Sequence, residues 1–157
     1  MSAMSTAVCN AAPRFRAMLL DDVEDIVTIE RSVSDFPWTA DVFRACIQVG
    51  YHCLVLESEH EVVGYTVMSV EAGAAHILNL CIAPTLRGRG LGRAALHCLV
   101  AVARGREVER ILLEVRPTND IAQRLYRSAG FTQIGIWKNY YQAENGYEDA
   151  IMLALEL

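Results

Sequence analysis

The sequence predicts a single-domain α/β fold whose elements follow the order β-α-α-β-β-β-α-β-α-β-β. Three observations predict it. The chain has 157 residues, a length that suits one hydrophobic core. Its hydrophobic content is 53% and its charged content 21%, a composition that folds rather than stays disordered. Apolar runs of strand character, bounded by glycine, proline and short polar turns, alternate with stretches of helical periodicity that carry capping residues. No internal repeat, low-complexity tract or linker interrupts the series.

Residues 1–13 read as a loose tail ahead of a domain of residues 14–157. "FRAML" is a short first strand. "DDVEDIVTIERSV" follows, with Asp21 and Glu24 at capping-box spacing and Ile26, Ile29 and Val33 on one helical face. After "FPW", Thr39 caps a second helix, "ADVFRACIQV", and Gly50 stops it. "YHCLVLES" and "EVVGYTVMSV" are strands joined by a polar turn, and "AHILNLCIA" is a third strand ended by Pro84. A helix near "GRAALHCLVAVAR" comes next. "RILLEVR" is a buried strand ended by Pro117, and Asn119 caps "DIAQRLYRSA", which Gly130 closes. "FTQIGIWK" and "EDAIMLALEL" are the final strands, with "NYYQAENGY" expected as the loop between them.

Composition excludes several classes. No run of about 18 apolar residues exists to span a membrane. The first residues have neither the basic region nor the continuous apolar stretch of a signal peptide. The five cysteines form no C-x-x-C pair and their number is odd, which points to a reduced, cytoplasmic protein with small buried thiols. His52, His60, His76 and His97 show no metal-ligand spacing, so no metal is expected. A net charge of −5 argues against a general nucleic-acid binder and favours a basic substrate or peptide.

The stretch from Arg87 to Arg93 places three glycines and three arginines in seven residues, just ahead of a helix. Glycine lets backbone N–H groups approach a ligand, and the helix start adds a positive dipole end; a phosphate is the matching guest. A P-loop string does not occur. Gly90, Gly92 and Ala95 fit a dinucleotide G-x-G-x-x-A, with Glu114 on the next strand as a ribose-binding acid. Against that reading, "PTLRGR" intervenes between strand and glycines, and too few elements follow for a doubly wound sheet.

Arg87, Gly90 and Gly92 also spell R-x-x-G-x-G, which resembles the acetyl-CoA pyrophosphate loop of the GNAT superfamily of N-acetyltransferases. A second string, N-x-x-A-x-x-L-Y-x-x-x-G-F, is met by Asn119, Ala122, Leu125, Tyr126, Gly130 and Phe131. The element order is that superfamily's order as well. "IERSVSDFPWTADVF", "LLEVRPTNDIAQRLYRSAGF" and "KNYYQAENGYEDAIMLALEL" look like its RimI-type branch, which acetylates the N-terminal alanine of a small-subunit ribosomal protein. The resemblance covers nearly everything after Pro13 and implies a mixed, mostly antiparallel sheet flanked by helices.

The resemblance gives the candidate residues roles. Backbone N–H groups of Gly88, Arg89, Gly90, Leu91 and Gly92 would hold the CoA pyrophosphate, with Arg87, Arg89 and Arg93 neutralising it or the ribose phosphate. Backbone groups of Leu80, Cys81 and Ile82 would bind the pantetheine amides, and one would hold the oxyanion. Cys81 as an acyl-carrying nucleophile is the competing reading of that strand, with His76 expected on its opposite face. Glu114, a carboxylate in the middle of an apolar strand, is either salt-bridged to Arg116 or Arg93 or the general base that deprotonates the amine. Tyr126 is either a core aromatic or the acid that protonates the departing thiolate. Asn119 is an N-cap, and by resemblance a cofactor contact. Phe36, Trp38, Tyr140 and Tyr141 are core-edge aromatics or walls of a peptide slot. Glu148 and Asp149 precede a strand, or attract a basic peptide.

The function implied is direct transfer of acetyl from acetyl-CoA to a protein N-terminal α-amine in a ternary complex. Acetylation of another amine, on lysine or a small molecule, and a non-catalytic acyl-CoA-binding module are the alternatives.

Overall fold

The structure is a computed structural model and describes residues 13–157. Seven strands form one sheet in the order β1-β2-β3-β4-β5-β7-β6. They are β1 (Arg14–Ala17), β2 (His52–Ser58), β3 (Glu61–Glu71), β4 (Ala74–Ile82), β5 (Arg110–Val115), β6 (Thr132–Ala143) and β7 (Gly146–Glu156). The helices are α1 (Val23–Val33), α2 (Ala40–Gln48), α3 (Leu91–Gly105) and α4 (Asp120–Ser128). The expected element order and the mixed sheet are both present: β4 and β5 pair in parallel, while β1–β2, β5–β7 and β6–β7 pair antiparallel. The expected tail lies almost wholly outside the described residues.

The chain divides into two compact units. One takes the described residues up to Val67 together with Asn79–Leu91; the other takes Met68–Leu78 and Gly92–Leu157. In the first, Leu56, Val63 and Ile82 form a buried apolar group flanked by Phe15, Leu86 and Leu91. Gly64 is required there by close approach. A Cβ at that position would lie 2.8 Å from the Cys81 carbonyl oxygen and 2.9 Å from Ile82 Cδ1. The Ala83 N–H donates to the Val63 carbonyl beside it at 2.8 Å.

The start of α1 differs from expectation. The Leu19 N–H donates to Asp22 Oδ2 at 2.8 Å, so the capping carboxylate is Asp22 rather than the Asp21–Glu24 pair. A 3-10 turn at Leu20–Asp22 moves the helix start by one residue and makes Asp22 the group facing the free N–H. Arg16 takes the same carboxylate bidentately at 2.8 and 2.9 Å and holds it below its usual range. The buried face of α1 is Val23, Ile26, Val27 and Glu30, whereas Ile29 and Val33 are only half-buried. The caps at Thr39 and Asn119 are as expected, accepting from the N–H of Val42 and Ala122. Gly50 and Gly130 end α2 and α4 with φ of 85° and 102°.

In the second unit, β5 alternates strictly. Ile111, Leu113 and Val115 are buried, and Leu112 and Glu114 take the other face. Its register pairs Leu112 with His76 on β4 and Glu114 with Met152 on β7. The expected loop after "FTQIGIWK" is instead a continuation of β6 through a bulge. Trp137 pairs with Ala150 and Tyr141 with Glu148, so three residues of β6 face the single Asp149 of β7. Asn139 absorbs the excess with φ of 52°, and its N–H donates to Asp149 Oδ1 at 3.0 Å. Tyr140 and Tyr141 therefore project from a strand rather than a loop. Glu148 and Asp149 lie within β7, not ahead of it.

Gly64→Ala is expected to lower stability by about 1–3 kcal/mol, because the methyl must displace strand backbone rather than a flexible side chain. Thermal unfolding of the variant against the wild type measures it.

Candidate active site

The second unit gathers the expected acid–base residues around the face of β5 opposite Ile111, Leu113 and Val115. The Glu114 side chain is 8% exposed and hydrogen-bonds His76 Nε2 from β4, whose side chain is 32% exposed. The salt bridge anticipated to Arg116 or Arg93 is not the one formed. Arg116 donates to Glu148 Oε1 at 2.9 Å and to the Gln142 carbonyl at 2.8 Å, and its guanidinium lies 4.4 Å from the Tyr141 ring centroid. Arg93 donates to Ser128 Oγ at 3.4 Å. Arg116 lies past the end of β5, where Glu148 of β7 and the Gln142 carbonyl of β6 take it.

Tyr140 and Tyr141 stand near Glu114. Burial, and then the Glu114 charge, push both hydroxyls above their usual range, so both stay protonated. Their rings meet edge to face at 4.8 Å, and Trp137 tilts onto Tyr140 at 5.1 Å. Tyr126, on α4, is buried with its ring 5.8 Å from Phe131, and its hydroxyl is close enough to Tyr141 to be felt there. Glu114, His76, Tyr126, Tyr140 and Tyr141 thus share one neighbourhood. A carboxylate and a phenol placed together can accept one proton and give another.

Glu148 and Asp149 are already engaged. Thr118 Oγ1 and Arg116 both donate to Glu148, and Asp149 takes Lys138 Nζ at 3.6 Å as well as the Asn139 N–H. Glu148 ties β7 to the segment after β5, and Asp149 ties β7 to β6.

Gly88 and Gly90 have φ of 80° and 77° with open space where a Cβ would point. Gly92 has a further structural task, since a Cβ there would lie 3.3 Å from Leu125 Cδ2 on α4. The first turn of α3 carries no acid of its own, leaving its N–H groups and dipole for an outside anion. Arg87, Arg89 and Arg93 are exposed around it.

In the first unit, Cys81 is buried. Burial raises its thiol above the usual range, though the neighbouring Tyr65 hydroxyl acts the other way. A thiol kept protonated is a poor acyl acceptor, which removes support from the nucleophile reading. Leu80 is half-buried and Ile82 buried on the same strand. Phe36 is exposed, whereas Trp38 is half-buried with its ring 5.3 Å from Phe43.

The residue that sequence reasoning missed is Glu30. It is 5% exposed, yet takes the Tyr65 hydroxyl at 2.6 Å, the Trp38 N–H at 2.9 Å and Asn79 Nδ2 at 3.3 Å. The signal was a carboxylate on the apolar stripe Val23-Ile26-Val27, one turn on. Burial, together with its neighbours Cys81 and Glu30, pushes the Tyr65 hydroxyl far above its usual range. Among the described residues, no group of three or more His, Cys, Asp or Glu could hold a metal ion, and no helix is long and apolar enough to cross a membrane.

The model of the acetyltransferase (GNAT) family matches residues 19–131. The chain belongs to the acetyltransferase (GNAT) family. Acetyl-CoA is the co-substrate of this family, and the chain is an acetyl-CoA-dependent N-acetyltransferase; the dinucleotide-binding and non-catalytic readings fall away. A relative from Bacillus subtilis (strain 168) is 36% identical over 140 residues, 88% of this chain and 91% of its own. The ribosomal protein bS18-alanine N-acetyltransferase of Salmonella typhimurium is 34% identical over 129 residues, covering 82% and 87%. The crystal structure of the ribosomal-protein-S18-alanine N-acetyltransferase from Escherichia coli superposes with a TM-score of 0.86 at 30% identity, covering 92% of this chain and 94% of that one.

Glu30→Ala is expected to leave the Tyr65 hydroxyl and the Trp38 N–H without their acceptor, at a cost of about 1–3 kcal/mol for each buried group stranded. Chemical denaturation of the variant measures that loss.

Proposed function

We propose that this acetyltransferase modifies the α-amine of a protein N-terminus, with the N-terminal alanine of a small-subunit ribosomal protein as its substrate. The observation that carries the chemistry is Glu114, a nearly buried carboxylate standing among tyrosines near the end of an apolar strand. The relatives named for that substrate support the choice of amine.

An α-amine has a pKa of about 8, so near neutral pH much of it is protonated and unreactive. Glu114 accepts the proton, directly or through a water, and the free amine attacks the thioester carbonyl. A backbone N–H in the Leu80–Ile82 stretch stabilises the oxyanion, and Tyr126 gives its proton to the departing thiolate. Arg87, Arg89 and Arg93, with the backbone from Gly88 to Gly92, hold the diphosphate; Asn119 adds a cofactor contact. Tyr140 and Tyr141 meet the incoming peptide, and we assign Phe36 and Trp38 the same class of ligand. A peptide with basic residues after the alanine suits a chain of net charge −5. A ribosomal substrate places the enzyme in the cytoplasm.

The test is acetyl-CoA with a panel of peptides differing at the first residue, read by mass spectrometry of the acetylated site. Lysine or small-molecule acetylation with intact N-termini would replace this reading. Glu114→Gln is expected to lower kcat/KM roughly a hundredfold near neutral pH, with the deficit shrinking above about pH 8 as the amine deprotonates unaided. A pH–rate profile of the folded variant checks both parts. Tyr126→Phe keeps the ring against Phe131 and should lower kcat by about a hundredfold or more while acetyl-CoA affinity, measured by calorimetry, is held.

A further inference from the structure

A base that works every turnover must also be emptied every turnover. Glu114 is 8% exposed, so a proton it accepts has little direct access to water. The neighbours facing it differ in what they can take. Tyr140 and Tyr141 on β6 are held in their protonated state, and neither can receive a proton. Arg116 carries its full complement already and is occupied by Glu148 and Gln142. Met152, opposite on β7, and Leu112, on the same face of β5, do not titrate. His76 on β4 is different: its Nε2 is hydrogen-bonded to the carboxylate, and the ring is 32% exposed. Imidazole accepts on one nitrogen and donates from the other near neutral pH.

We propose that His76 is the proton exit of this active site, a relay that carries the substrate amine's proton from Glu114 to solvent. This rests on Glu114 being the base. The balance is simple. The amine's N–H bond breaks as a Glu114 O–H bond forms. At rest His76 donates its Nε2–H to the carboxylate; once Glu114 holds the amine's proton, the exposed ring exchanges with water to its Nδ1–H tautomer, and the Glu114 O–H then breaks as an Nε2–H forms. The imidazolium releases its Nδ1 proton to water, which restores the starting Nε2–H tautomer. No electron changes hands, and the net product is one proton in solution for each amine acetylated.

The experiment uses His76→Gln, which keeps a hydrogen bond to Glu114 but carries no proton, alongside wild type and Glu114→Gln. Turnover with saturating acetyl-CoA and an alanine-initiated peptide is followed by thiol release as imidazole is raised at constant ionic strength. At low buffer, His76→Gln should lose about tenfold or more in kcat, with both KM values within about twofold of wild type. Added imidazole should restore kcat, a bulky buffer of similar pKa should not, and wild type should respond to neither. A folded His76→Gln enzyme with wild-type kcat at low buffer overturns the relay, and so does a deficit that imidazole leaves untouched, which marks His76 as structural only. Wild-type turnover by Glu114→Gln is a separate outcome: it removes the base and the relay with it, whereas an inactive Glu114→Gln beside a normal His76→Gln removes the relay alone.

Discussion

Strand β5 works under one constraint, and the chemistry depends on it. Ile111, Leu113 and Val115 must face the core, and the period of a strand then commits Leu112 and Glu114 to the opposite face. A shift of one residue would turn the carboxylate toward the core side and the three branched side chains onto the face that holds His76. The burial that stabilises the strand is thus what points Glu114 at His76, Tyr140 and Tyr141. No separate device is needed to aim that carboxylate.

Two buried carboxylates in this chain illustrate different solutions to the same cost. Glu30 is satisfied three times over, by a phenol, a backbone N–H and a side-chain amide, and so ties α1 to the start of α2 and to the strands that carry Tyr65 and Asn79. Glu114 is satisfied by an imidazole that reaches solvent and has protonated tyrosines beside it. The first arrangement is rigid and leaves the carboxylate no spare task. The second keeps a solvent-reaching imidazole in contact with the carboxylate, as the role proposed for Glu114 requires.

The β6–β7 pair shows how a polar stretch serves the site. "NYYQAENGY" reads as a loop because it is rich in asparagine, glutamate and glycine, but the strand pairing absorbs it through a bulge at Asn139. The bulge sends Tyr140 and Tyr141 toward the face of β5 where Glu114 stands. Glu148 and Asp149, which the linear sequence offers as free acids, are used up in holding Arg116, Thr118, Lys138 and the Asn139 N–H.

The sequence by itself determined the element order, the caps at Thr39 and Asn119, the glycine-rich loop of Arg87–Arg93 ahead of a helix, and Glu114 and Tyr126 as the residues to watch. Each of these is written in a local pattern: a period, a cap, or a motif a few residues long. Only the tertiary structure decided the partners. His76 lies 38 residues from Glu114, and Tyr65 and Asn79 lie 35 and 49 residues from Glu30. No periodicity extends that far, because side-chain polarity repeats along one helix or strand and is silent about which neighbour the register sets opposite. Arg116 and Arg93 were the partners the linear chain offered for Glu114. The β4–β5 register, which sets His76 opposite Leu112, supplied an imidazole instead.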